Sequence, residues 1–200
     1  MFKLNKDPLR ILFKNKRKSF FGTTPPQIIN HCYEDQAKLL HQLLFLQQFP
    51  HEPIILALYH PIRTEVDCFR SISLLDKSKY KLALPCVEES RILTFRTFTS
   101  RDKLVKGKWN IMEPDAHEGI VEPDILLVPM LAFDQNLHRL GYGKGYYDNT
   151  ISALKVRKNL LAIGIAFEIQ KHEDTHLPID ERDVRLDYVV TEKMIYQATK

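Results

Sequence analysis

The residues best suited to chemistry crowd into one decapeptide, RLGYGKGYYD, at positions 139–148. Three of the seven glycines in the chain, Gly141, Gly143 and Gly145, alternate there with Leu140, Tyr142 and Lys144, and Arg139, Tyr146, Tyr147 and Asp148 flank them. Glycine has no Cβ, so successive N–H groups can turn toward one point and form a concave anion nest. Lys144 adds a compact positive charge, and Arg139 a planar fork that matches phosphate oxygens. A helix starting directly after the loop would add the positive end of its dipole. Asp148, one helical turn on, stands where a hard cation such as Mg²⁺ can be held against phosphates. The stretch is therefore expected to bind a nucleoside triphosphate; a tight turn leading into a helix is the plainer alternative.

Two familiar phosphate loops are excluded. A Walker loop needs G-x-x-x-x-G-K-[ST], which does not occur. The dinucleotide fingerprint G-x-G-x-x-G follows a first strand and precedes an acidic residue by about 20 positions. Here the pattern is G-x-G-x-G, late in the chain.

The loop must be positioned by the rest of the chain. Two hundred residues suit a single domain spanning 1–200, and 44% apolar with 27% charged residues is the balance of a globular protein. Cys32, Cys68 and Cys86 form no C-x-x-C pair, which fits reduced core thiols in the cytoplasm. Residues 1–21 hold seven of the 29 Lys/Arg and one of the 25 Asp/Glu, so the remainder carries 22 basic and 24 acidic groups. The positive charge belongs to one N-terminal segment, which could recruit nucleic acid, an anionic membrane or a phosphorylated small molecule. No secretory signal is expected, and the longest apolar run, 125–133, is too short to span a membrane.

Residues 6–20 read as a helix with Lys6, Arg10, Lys14 and Arg17 on one face. Thr24 and Gln27 predict a capped start for a long helix reaching residue 49. Apolar runs predict strands at 54–59, 80–84, 124–128 and 160–167, with a half-exposed strand at 91–98 and a short one at 187–191. Thr64 with Asp67 is expected to cap a helix through Leu75; residues 146–157 to form another; and Thr191 to cap a C-terminal helix. The segment 106–114 is irregular and carries the only tryptophan, Trp109. The alternation predicts an α/β three-layer sandwich with a mostly parallel central sheet flanked by helices. In such sheets ligands gather beyond the carboxyl ends of the strands, where His60, Glu65, Pro85 and the 139–148 loop are expected.

The stretch FDQNLHRLGYGKGYYD, residues 133–148, resembles the F-D-x-x-G-x-R-L-G-x-G-x-G-Y-Y-D signature of the 5-formyltetrahydrofolate cyclo-ligase family. Lys6-Asp-Pro-Leu9-Arg10 is similar to that family's K-x-x-L-R, and residues 60–65 to its folate-contacting segment. Lys108-Trp109-Asn110-Ile111 with Glu113-Pro114 resembles its W-N-I-P-x-P stretch, and Gln170, Pro178, Asp183 and Asp187 its C-terminal pattern. Leu137 departs from it, standing where the family usually has glycine.

The resemblance implies ATP- and Mg²⁺-dependent cyclisation of 5-formyltetrahydrofolate to 5,10-methenyltetrahydrofolate, with release of ADP and phosphate. It implies ATP binding by Lys6, Arg10, Lys14, Arg139, Leu140, Gly141, Tyr142, Gly143, Lys144, Gly145, Tyr146 and Tyr147, with Lys144 and Arg139 catalytic. It implies folate binding by His60, Glu65 and Trp109 together with residues 143–147, and metal binding by Asp148 and Asp183. The partners expected are these small molecules, without nucleic acid or membrane, and the enzyme is expected to be a cytoplasmic monomer. Two rivals accompany this reading. KGYYDNTI loosely matches an RNA-recognition motif but has Tyr147 where Gly or Ala is required. The same scaffold could also serve a non-catalytic folate or nucleotide binder.

Overall fold

A computed structural model describes residues 5–173 and 176–198. Two helices, α1 (Asp7–Thr23) and α2 (Pro26–Phe45), precede the first strand. Pro8 lies in the first turn of α1, where its missing N–H costs no hydrogen bond. The break between the helices differs from the predicted capping box. The Thr24 N–H closes α1 on the Phe20 carbonyl, and α2 starts after Pro25 with no side-chain cap. Proline cannot continue α1 but has the fixed φ that begins α2.

The main sheet has eight strands in the order β12-β11-β10-β7-β1-β2-β3-β6. These are β1 (Ile54–Ala57), β2 (Tyr80–Val87), β3 (Leu93–Thr97), β6 (Ile120–Val121), β7 (Ile125–Val128), β10 (Leu161–Ile165), β11 (Tyr188–Val190) and β12 (Ile195–Gln197). The five central strands, β11 to β2, are parallel, and the outer pairs are antiparallel. Two small hairpins sit outside it: β4 (Leu104–Lys106) with β5 (Met112–Pro114), and β8 (Ala132–Phe133) with β9 (Arg139–Leu140).

Alternation along the central strand β7 divides the core. Ile125 and Leu127 pack with Tyr33, Leu40, Leu43 and Leu44 of α2, whereas Leu126 and Val128 pack with Ile151 and Leu154 of α4 (Tyr146–Arg157). All four strand residues are fully buried. A strand covered on both faces must be apolar throughout, which is why it reads as an unbroken run. Fully burying one such side chain is worth roughly 1.5–3 kcal/mol. The three-layer arrangement and the mostly parallel sheet agree with the sequence expectation.

Four local expectations are corrected. The helix after Glu65 is a single turn, α3 (Cys68–Ser71), capped by Asp67 rather than Thr64; the Phe69 N–H donates to the Asp67 carboxylate at 3.1 Å. Strand β2 runs through Pro85, which pairs with Phe95 on the β3 side. Its ladder with β1 stops at Ala83, so the missing Pro85 N–H leaves no gap there. The 139–148 stretch begins as β9 of the small β8–β9 hairpin rather than after a strand of the main sheet. Finally, Thr191 does not start a helix. Its hydroxyl accepts N–H bonds from Lys193 and Met194, each 3.2 Å, but the Thr191 N–H donates to the Met194 carbonyl and turns the chain back as β12. Ile195 and Tyr196 are suited to that strand.

Candidate active site

Helix α1 positions the cations. Phe13, 1% exposed, packs with Leu131, Ala132, Leu140 and Leu177, seating the helix against the β8–β9 hairpin. That contact brings the same side of the helix, with Arg10 and Arg17 one turn either side of Phe13, against the glycine loop. The Arg10 Nε–H donates to the Gly141 carbonyl at 3.1 Å, and the Lys14 ammonium lies 5.3 Å from the Tyr142 ring centroid. Lys6 reaches the other rim, paired with Asp183 and, at 3.7 Å, with Asp180. Cations predicted at i, i+4 and i+8 are thus delivered to the glycine loop and to the Asp183 segment that adjoins Asp148.

The loop needs its glycines for two different reasons. Gly145 has φ 75° and is the cap from which α4 begins, with open space where a Cβ would stand. Gly143 has φ 90°, and a Cβ there would sit 2.9 Å from the Arg10 guanidinium. Only glycine allows that backbone and that close approach together. Leu137, in the turn before the loop, keeps a left-handed φ of 62° without being glycine, and its side chain is fully buried. Leucine thus takes here a backbone conformation that glycine adopts more readily.

Arg139, with its side chain 5% exposed, donates from Nη2 to Asp148 at 2.9 Å and lies 5.5 Å from the Tyr147 ring centroid. The other Asp148 oxygen accepts the Val184 N–H at 3.3 Å, directly beside Asp183. The two carboxylates expected to hold Mg²⁺ are therefore brought to adjoining segments, each already facing a site cation. No group of three or more His, Cys, Asp or Glu that could hold a metal occurs among the described residues. Two hard oxygen donors beside a glycine loop suit Mg²⁺, which commonly takes one or two carboxylates and completes its shell with phosphates and water.

Across the cleft, exposed Lys144 lies 6.0 Å from the Trp109 ring centroid, and Tyr146 meets the same indole edge-on at 5.6 Å. Trp109 is 53% exposed and has φ 59°, as left-handed as its neighbour Asn110 at 57°. A half-exposed tryptophan face beside a lysine offers a stacking surface. Glu65 is 7% exposed and accepts the Ile62 N–H at 3.0 Å. Burial raises its carboxyl to about 7, against the lowering effects of the Ile62 bond, Arg17 and Arg63. Its charge in turn bears on the phenols of Tyr142 and Tyr147, two residues of the glycine loop.

Not every expected residue converges. The Leu140 side chain is 2% exposed and belongs to the α1 core; only its backbone serves the loop's approach. His60 is influenced by Arg101 and Asp67, and burial lowers its pKa; no hydrogen bond ties it to the loop among the described residues. Arg17, fourth on the basic face, was not among the expected site residues, yet it reaches the Tyr142 hydroxyl at 2.8 Å. The signal was its place in the i, i+4, i+8, i+11 stripe, whose last member is carried inward by the helix turn.

The fold and site define an α/β protein whose glycine loop is framed by cations and stands beside an exposed tryptophan. Residues 5–192 match the model of the 5-formyltetrahydrofolate cyclo-ligase family, and the chain belongs to that family. It is 28% identical over 199 residues to a probable 5-formyltetrahydrofolate cyclo-ligase of Schizosaccharomyces pombe, covering 92% of this chain and 98% of that one. The solved 5,10-methenyltetrahydrofolate synthetase of Aquifex aeolicus matches with TM-score 0.73 and 31% identity, covering 98% of this chain and 93% of its own. That of Mycoplasma pneumoniae matches with TM-score 0.68 and 25% identity, covering 94% and 99%.

Proposed function

We propose that this protein closes 5-formyltetrahydrofolate to 5,10-methenyltetrahydrofolate at the expense of ATP. The observation that carries the reading is the meeting of two unlike surfaces, the cation-framed glycine loop and the half-exposed Trp109 that Lys144 and Tyr146 both reach. The formyl oxygen is a poor leaving group. It attacks the γ-phosphorus, forming an O–P bond while the bond to the β-phosphate oxygen breaks and ADP departs. N10 of the folate then bonds to the formyl carbon and loses its proton, and phosphate leaves with the former formyl oxygen.

Phosphoryl transfer asks mainly for position and charge neutralisation. The loop N–H groups, Arg139 and Lys144 would supply these at the transferred group, with Lys6, Arg10 and Lys14 along the phosphate chain. Lys144 also faces Trp109, so its charge sits between the phosphate nest and the folate shelf. Glu65, titrating near neutral pH, can give or accept a hydrogen bond at the pterin edge. Tyr146 and Tyr147 wall the cleft against water.

Asp148 and Asp183 would hold Mg²⁺, with Arg139 and Lys6 turning from them to phosphate oxygens. The bound ion would supply neutralisation of the triphosphate's charge. No helix among the described residues is long and apolar enough to cross a membrane. Phosphate release that requires 5-formyltetrahydrofolate, followed alongside methenyl absorbance, tests the reading. ATP turnover independent of the folate, or none with it, would overturn it.

A further inference from the structure

Arg17 is a cation in an unexpected place. It is 1% exposed, among the largest fully buried side chains. Its Nη1–H donates to the Met130 carbonyl at 2.9 Å and its Nη2–H to the Tyr142 hydroxyl at 2.8 Å. Both acceptors are neutral, it forms no ion pair with a carboxylate among the described residues, and its Nε is buried without a hydrogen-bond partner. Burying a guanidinium on such terms is costly, and a leucine would serve packing alone better. A role beyond packing is therefore required.

Its two bonds indicate that role. Met130 lies just beyond the end of β7, where its carbonyl also accepts the Gln170 amide at 2.8 Å, so that end of the bond is fixed to the sheet. Tyr142 lies between Gly141 and Gly143, so the other end is fixed to the loop. Arg10, two turns earlier on the same helix, holds the Gly141 carbonyl. The loop is gripped by its backbone at Arg10 and by the Tyr142 side chain at Arg17. The charge of Arg17 also bears on Glu65.

We propose that Arg17 is a positioning residue that fixes the glycine loop to the end of the central sheet through Tyr142, holding the phosphate nest in register with the Glu65 side of the cleft. The inference rests on the reading of the loop as the ATP site, but the clamp itself exists in the ligand-free protein. Tyr142→Phe deletes only the phenol oxygen. It is expected to speed amide hydrogen exchange across 141–145 without ligand, and to raise KM for ATP about 3- to 10-fold while kcat stays within about twofold, the scale of one lost hydrogen bond. Arg17→Met should produce the same two changes, and the double variant should be no worse than Arg17→Met alone. Unchanged loop exchange in Tyr142→Phe, or losses that add in the double variant, would overturn the clamp. If Arg17→Met does not fold, the exchange of Tyr142→Phe decides alone. If the wild type forms no methenyl product, the functional reading falls while loop exchange still decides the clamp.

Discussion

Two segments of the cleft adopt left-handed backbone, and they are built on opposite terms. The 139–148 loop assigns those conformations to Gly143 and Gly145, and binds itself to its surroundings by the Arg139–Asp148 pair, Arg10 and Arg17. The 106–114 segment assigns them to Trp109 and Asn110, hangs from the two-stranded β4–β5 hairpin and leaves its indole half exposed. A non-glycine residue in that region costs roughly 1–2 kcal/mol. On the proposed reading the loop is preorganised for a ligand it would hold by charge, which tolerates little displacement. On the same reading the Trp109 arm would take a flat ligand, where adjustment is cheap. Perturbing the loop should damage both stability and chemistry; perturbing the arm should affect folate recognition.

The sharpest break of that contrast is Asp148→Ala. It leaves the Arg139 guanidinium nearly buried and unpaired, and should cost about 3–5 kcal/mol in urea unfolding. It should also raise the Mg²⁺ concentration needed for half-maximal rate; an unaltered metal titration would remove Asp148 from the metal site. Lys144→Ala comes next. Lys144 is exposed and makes no ion pair among the described residues, so unfolding should be unchanged while turnover falls on the order of 10²–10³-fold. An unchanged rate would remove Lys144 from the chemistry.

Glu65 links the two sides and titrates. Its folded-state pKa, about 7, lies above the ordinary 4.5, so the folded state binds the proton more tightly. Its contribution to stability is fully present below about 4.5 and is lost as pH rises through about 7. Glu65→Gln should remove that dependence, gaining on wild type by roughly 3 kcal/mol between pH 4 and 8, read from unfolding at each pH. Parallel curves would place the carboxyl's titration elsewhere. The smallest effect is expected from Trp109→Ala. Stability should change by less than about 0.5 kcal/mol at so exposed a position, while KM for 5-formyltetrahydrofolate rises several-fold and KM for ATP does not. Equal rises in both would merge the two segments into one functional unit.

Sequence alone carried the layers and the loop, because both depend on local rules. An unbroken apolar run must be covered on two faces, and alternating glycines with cations have few structural uses. Signals satisfied by more than one backbone misled. Thr191 accepts N–H bonds from the residues following it whether a helix or a turn comes next, and only Ile195 and Tyr196 favoured the strand. Pro85 read as a strand end because a ladder that stops at Ala83 on one side cannot be seen without its neighbour. Arg17 was visible as a charge on a basic stripe. Its burial depends on Met130 and Tyr142, more than a hundred positions away.

Leu137 joins two demands that glycine would separate. The side chain is part of the core beneath α4, while the backbone makes a turn that leucine resists. Glycine would relax the turn and forfeit the burial, whereas a branched residue would keep the burial and tighten the strain. Single substitutions lead downhill from leucine in either direction. This position should therefore change only together with a neighbour that refills the space, giving the approach to the glycine loop a mutational history tied to the core rather than to the ligand.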